Sequence, residues 1–423
     1  MLIAAGVFDP PHQEARDSDV VLPPLRRFGP PHRIEGALMP APLTVLDLVP
    51  ITSHSNASEA LRRSVDLARQ AEAWGYRRYW VAEHHLNPGV GGTSPPLVIG
   101  LLAAATTTIR VGSGGVQMGH RTPLAVVEEF GLLDAVYPGR LDLGVGRSGG
   151  RKAPTGRNAG TGSAPGGPNE VNTGRRHTAT EIVRGVRVPP PFPVSRLLGA
   201  PRFKLSAELL QQPGAETPAY ADQVRQLLAL LRTGYRSPDD VEIHIVPGEG
   251  ADVELWILGS SAGDSATIAG QLGLPFAASY HVSPGTALDA VDAYRDAFRP
   301  SSDRREPYVC VSADVVVAKD DATARRLASG YGLWVRSIRT GEGAMPFPSP
   351  EEASAHVWTE EDRALVADRT ETQFVGSPDT VVGQLGALRA ATGADELAIT
   401  TITHEHADRV RSYQLLAEAW RRS

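Results

Sequence analysis

The feature that most constrains this chain is an alternation. Short runs of apolar and β-branched residues are separated, eight times, by segments with helical spacing. The strands are read at Leu43–Val49, Arg78–Ala82, Ile109–Val116, Leu141–Val145, Val253–Leu258, Pro275–Tyr280, Tyr308–Val317 and Glu396–Thr401. Helices are read between them: 57–74, ended by Gly75, then Pro95–Thr107, and Pro123–Tyr137 with proline suited to its first turn. Tyr220–Leu231, Ala262–Leu272, Pro284–Phe298, a helix from about Asp320, Pro378–Ala391 and His406–Arg421 follow. Regular strand–helix alternation means parallel βα units, and eight of them fit a closed (β/α)8 barrel, a TIM barrel of the α/β class, better than an open sheet. No Gly-x-Gly-x-x-Gly turn follows the first strand, and there is no phosphate-loop motif.

Three stretches break the pattern. Residues 1–40 hold seven prolines, three of them leading Pro-Pro pairs, and acidic residues interrupt any apolar run. This segment is read as a disordered extension rather than a signal peptide, and residues 1–38 as dispensable for folding. Ten of the 23 residues in Ser148–Glu170 are Gly or Pro, so about 150–215 is read as a partly mobile insertion after the fourth strand, within a barrel domain spanning 41–423. A second irregular stretch is read at about 341–375.

Composition narrows the function. The formal net charge is −6 with no dominant basic block, which argues against nucleic acid as partner. Cys310 is the single cysteine, so neither an intramolecular disulfide nor a thiolate zinc cluster is available; a cytoplasmic setting is expected. No apolar run approaches the roughly 18 residues of a membrane span.

In such a barrel the active site lies at the C-terminal ends of the strands. Glu83-His84-His85 follows strand two, Arg147-Ser148 strand four, Gly259-Ser260-Ser261 strand five, Tyr280-His281 strand six, and Thr401 to His406 strand eight. No metal is expected: the helical His spacing of zinc sites is missing, and adjacent residues on an extended chain point opposite ways, so one histidine faces the pocket. Gly259-Ser260-Ser261 at a helix start offers either an ordinary serine N-cap or free N–H groups for an anion. Arg147, on the neighbouring strand, adds a guanidinium and turns the pair toward a phosphate clamp; alone it would read as a rim salt bridge.

These pieces occur in a recognisable order. Tyr79-Trp80-Val81-Ala82-Glu83-His84-His85, Ile109-Arg110-Val111-Gly112-Ser113-Gly114-Gly115-Val116 and His120-Arg121-Thr122-Pro123 resemble the second- and third-strand motifs of the bacterial-luciferase-like flavin-dependent monooxygenases. Tyr137 to Arg147, Leu255 to Ser261, Phe374 to Pro378 and Thr392 to Leu397 resemble later ones. The likeness covers about 43–147 and 218–420; its subgroup looks like polyketide-tailoring oxygenases.

The resemblance implies a (β/α)8 barrel, commonly a homodimer, that takes reduced FMN from a separate flavin reductase. Oxygen adds to the flavin C4a, and the resulting peroxide oxidises a small organic substrate. By motif position His84 matches the active-site histidine, Arg147 the residue on the FMN phosphate, and Ser260-Ser261 the loop on that phosphate. Gly114-Gly115 falls where the family often carries a non-proline cis peptide beneath the flavin ring. His84 is expected to titrate near neutrality and to hydrogen-bond or protonate the oxidant, with His85 contributing less. Two other functions fit the same barrel: a deazaflavin-dependent oxidoreductase, and a flavin-binding protein without turnover.

Overall fold

The computed structural model describes residues 40–147, 178–193, 197, 200–232, 235–237 and 239–423. Residues 1–39 of the expected extension, and residues 150–177, 194–196 and 198–199 of the expected insertion, lie outside the described residues.

Each barrel strand buries both faces, so it reads as an apolar run rather than a strict alternation. The strands are β1 (Leu43–Asp47), β2 (Arg78–Val81), β3 (Arg110–Ser113), β4 (Leu141–Gly146), β5 (Val253–Gly259), β6 (Phe276–Ala278), β7 (Val309–Val317) and β8 (Glu396–Thr400). All neighbouring pairs are parallel, β8 pairs with β1, and β4 pairs with β5 from Val253↔Leu141 to Leu258↔Gly146, which closes the ring. The outer helices are α1 (Ala57–Ala73), α2 (Pro95–Ala105), α3 (Pro123–Val136), α4 (Tyr220–Arg232), α5 (Asp264–Gln271), α6 (Ala287–Ala297), α7 (Pro378–Thr392) and α8 (His406–Trp420). Their starts are written locally: Asn56, Thr122 and Ser377 each accept a backbone N–H of the first turn. Gly393, at φ 58°, ends α7 in the left-handed conformation that glycine adopts without strain.

Strand parity sorts the side chains. Leu141, Leu143 and Val145 of β4 face the helices in the main core; Asp142, Gly144 and Gly146 alternate with them and face the barrel axis. At the lower end of the interior Arg78 Nη1 reaches Asp142 Oδ1 and Glu254 Oε2, each at 2.8 Å, and Arg78 Nε reaches Glu396 Oε1 at 3.1 Å. Above them Leu46, Trp80, Trp256, Ala277, Cys310 and Ala398 fill the barrel with apolar volume. The interior is thus a packed plug below the upper rim.

Two sequence expectations are corrected. The third strand is not continuous to Val116: it stops at Ser113, and Val116–Gln117 resumes as a separate short strand on Val145–Gly146. The break is the cis peptide Gly114–Gly115, which was expected. The stretch 341–375 is not irregular. It holds helices Pro350–Ala355 and Glu360–Thr370 and strand Phe374–Gly376, which pairs with β7. Ser349 with Glu352 forms a capping box, and Thr359 caps the second helix, so short-range signals were present in a polar stretch without apolar periodicity. The described part of the expected insertion holds a hairpin, Glu181–Val183 with Val186–Val188, and helix Pro201–Leu210.

Candidate active site

The rim between β4 and β5 carries a cavity of about 280 Å³. Gly114, Gly115, Arg147, Ser260, Ser261 and Asp264 line it. Four strand ends, of β3, β4, β5 and β6, meet there. Glycine makes the approach possible: a Cβ on Gly144 would lie 2.1 Å from the Ser113 carbonyl oxygen, and one on Gly115 would lie 2.7 Å from that of Gly144. A side chain at either position would push apart the strands that form the floor.

Helix α5 starts at Asp264, two residues later than expected, with Gly263 at its N-cap and no side chain capping it. Neither Ser260 nor Ser261 is therefore an ordinary N-cap. The Ser260 carbonyl accepts the Thr286 hydroxyl, which ties the loop to the start of α6. Arg147 Nη1 lies 2.8 Å from Asp264 Oδ2, with the two side chains 45% and 56% exposed. A rim salt bridge was the alternative reading of Arg147, and Asp264 is the partner that the sequence did not name.

A second polar group stands at the mouth on β2, β6 and β7. Parity carries Arg78 and Trp80 of β2, and Cys310, Ser312 and Asp314 of β7, toward the axis, and His84, three residues past β2, is within electrostatic reach of His281. Among the described residues His84 Nδ1 is buried without a hydrogen-bond partner. His281, just past β6, has its Nδ1 at 2.5 Å from Ser312 Oγ. Burial, reinforced by His85, lowers the His84 pKa to about 4. Burial, then Arg369 and His84, lowers that of His281 to about 3. The near-neutral titration expected of His84 is corrected accordingly: both rings are neutral at pH 7, because desolvation penalises the imidazolium. Behind them Tyr331 donates to Asp314 and accepts from Arg369 Nη2 at 2.7 Å, joining β7 to the helices that follow it.

His85 takes a different place. Its Nε2 lies 2.9 Å from Glu83 Oε1, with His120 Nε2 at 3.1 Å and Arg121 Nε at 3.3 Å on the same oxygen. Gln117 N donates to Oε2 at 2.9 Å. Burial alone would raise the Glu83 pKa, but these donors, His120 foremost, bring it down to about 2. Ligand atoms of Glu83, His85 and His120 lie within 4.8 Å of one another, close enough for a metal ion. The guanidinium and the backbone N–H on the same carboxylate are the partners of a hydrogen-bonded anion, and they disfavour a cation there. A larger cleft of about 680 Å³, bordered by Ser53, Arg336, Glu352 and His356, includes none of the expected site residues.

With this geometry in view, comparison with known proteins is direct. The family model described as luciferase-like monooxygenase matches residues 42–166 and 208–396. The chain belongs to the luciferase-like monooxygenase family. It is 34% identical over 381 residues to the YvbT protein of Bacillus subtilis (strain 168), covering 90% of this chain and 96% of that one. It is 32% identical over 373 residues to a luciferase-like monooxygenase of Escherichia coli (strain K12), covering 88% and 95%. Among solved structures it matches apo-MsnO8 at 31% identity and a TM-score of 0.68, covering 90% of this chain and 98% of that one. This luciferase-like chain is thus a flavin-dependent monooxygenase by class.

All five expected cofactor positions of this luciferase-like monooxygenase, Gly114, Gly115, Arg147, Ser260 and Ser261, line one cavity. His84 stands apart from that lining, in the histidine group. Sequence reading missed Asp264, Ser312 and the Asp314–Tyr331–Arg369 set. Ser312 and Asp314 had a signal: alternate polar residues in the upper half of an otherwise apolar strand. Arg369 had none, since its helix was read as irregular chain.

Proposed function

We propose that the chain is the oxygenase of a two-component, FMN-dependent system. The carrying observation is the shared cavity: two serine hydroxyls, an uncapped helix start and a guanidinium at one end, and a bare glycine peptide at the other. The donors suit a phosphate. The Gly114–Gly115 backbone and the open space beside Gly146 suit the close approach of a flat ring. Arg147, Ser260 and Ser261 would hold the phosphate, and Gly114–Gly115 would support the ring.

Reduced flavin supplies two electrons and two protons, so that one atom of O2 enters the organic substrate and the other leaves as water. The protein's part is positioning and protection from water. His84 and His281, neutral at the mouth, accept or donate hydrogen bonds without adding charge. The helices after β7 cover the opening with their own apolar core of Leu48, Tyr331, Trp334, Val335, Phe347 and Ile402.

A homodimer fits the surface. Leu97 and Leu101 of α2 and Leu124, Leu132 and Val136 of α3 are exposed, Leu97 to 73%. A second copy packed on these two helices would take those side chains out of water. No helix among the described residues is long and apolar enough to cross a membrane. A cytoplasmic setting suits the single buried thiol, Cys310, and a partner reductase that delivers reduced flavin.

The deciding experiment couples the purified chain to a generic flavin reductase with NADH, FMN and a panel of small organic substrates in ¹⁸O2. Single-atom ¹⁸O incorporation that needs both proteins is expected. Oxygen-independent substrate oxidation with a deazaflavin would overturn the reading.

A further inference from the structure

The phosphate end of the cavity contains a carboxylate. Asp264 opens α5, beside the uncapped N–H groups of its first turn, and its Oδ2 takes Arg147 at 2.8 Å. A helix start and a guanidinium are the two features that attract an anion to this rim. Here both already face an anion belonging to the protein. The formal charge of the pair is zero, and an arriving phosphate, carrying about −1.5 to −2 at pH 7, meets a like charge within the same cradle.

Resting on the FMN reading above, we propose that Asp264 is a specificity-determining residue that competes with the flavin phosphate for Arg147. It weakens the phosphate's hold and keeps FMN an exchangeable co-substrate rather than a resident group. This suits an oxygenase whose flavin must arrive reduced from another protein and leave oxidised. Asp264 is half-exposed, and among the described residues Arg147 is its one ion-pair partner, so it can swing aside without unfolding its helix.

The test uses the full chain and its Asp264→Asn and Asp264→Ser variants. FMN and riboflavin affinities are read by flavin fluorescence, and inorganic phosphate by its displacement of FMN. Asp264→Asn is expected to bind FMN about fivefold more tightly, the upper range for a half-exposed charge pair, with riboflavin unchanged. Phosphate should compete better, and FMN affinity should fall more steeply with salt than in the parent, because the cradle now carries a net positive charge. Unchanged or weaker FMN binding in both variants would overturn the proposal and make Asp264 an aligner of Arg147. If the parent and both variants bind FMN and riboflavin equally, the cavity does not read the phosphate, and the FMN reading falls together with the proposal.

Discussion

His281 Nδ1 lies 2.5 Å from Ser312 Oγ, which fastens the loop after β6 to the inward face of β7. The hydroxyl also approaches the Ala278 carbonyl at 3.3 Å, so the ring, the serine and the β6 backbone form one chain of contacts. Ser312→Ala removes the anchor while leaving the buried ring in place. We expect near-normal FMN affinity but poorer coupling, seen as more hydrogen peroxide released per O2 consumed. Unchanged coupling would show that His281 orientation does not matter to the reaction.

His84 and His85 separate cleanly. His84→Ala should keep FMN binding and lower coupling, because Nδ1 has no protein partner to lose. His85→Ala should act mainly on structure, since it removes one of several donors on Glu83. A net loss of about 1 kcal/mol of stability is expected, measured by urea unfolding. A larger coupling defect in His85→Ala than in His84→Ala would reverse the assignment.

Arg147→Ala should weaken FMN about tenfold and riboflavin little, the lower end for a charge-assisted hydrogen bond at a half-exposed site. Equal losses for both flavins, measured by fluorescence titration, would reduce Arg147 to a rim salt bridge.

Acid should destabilise the fold through the two mouth histidines. Their folded pKa values are lowered to about 4 and about 3, against about 6.5 in the unfolded chain. Below about pH 6.5 the unfolded chain takes up a proton at each while the folded chain does not. Stability therefore falls as pH drops from 6.5 toward 4, and above 6.5 neither ring contributes. The Tm between pH 7.5 and 4.5 should decline, and it should decline less in the His84→Gln, His281→Gln double variant. Parallel curves would contradict this account.

Arg78→Met should be among the most damaging substitutions. It leaves Asp142, Glu254 and Glu396 at the barrel base without the cation they share. Breaking a buried pair from one side costs about 3–5 kcal/mol. Soluble yield and the urea midpoint measure it. Arg78→Lys should rescue only in part, because one ammonium cannot span three carboxylates from two nitrogens as the guanidinium does.

The sequence by itself determined the barrel, since eight parallel βα units leave few other ways to bury strands that are apolar on both faces. It also determined the positions of Gly114, Gly115, Arg147, Ser260 and Ser261, because residues that close a strand keep a fixed place at the rim. The cis peptide at Gly114–Gly115 was legible through the family resemblance, not from the residues alone. What tertiary structure alone decided is pairing between distant strand ends. Asp264 lies 117 positions from Arg147, and Ser312 lies 31 from His281; the packing of neighbouring βα units brings each pair into contact. The downward shift of His84 was equally hidden, because an imidazole loses its charge through the protein packed around it, and that packing exists only once the barrel has closed.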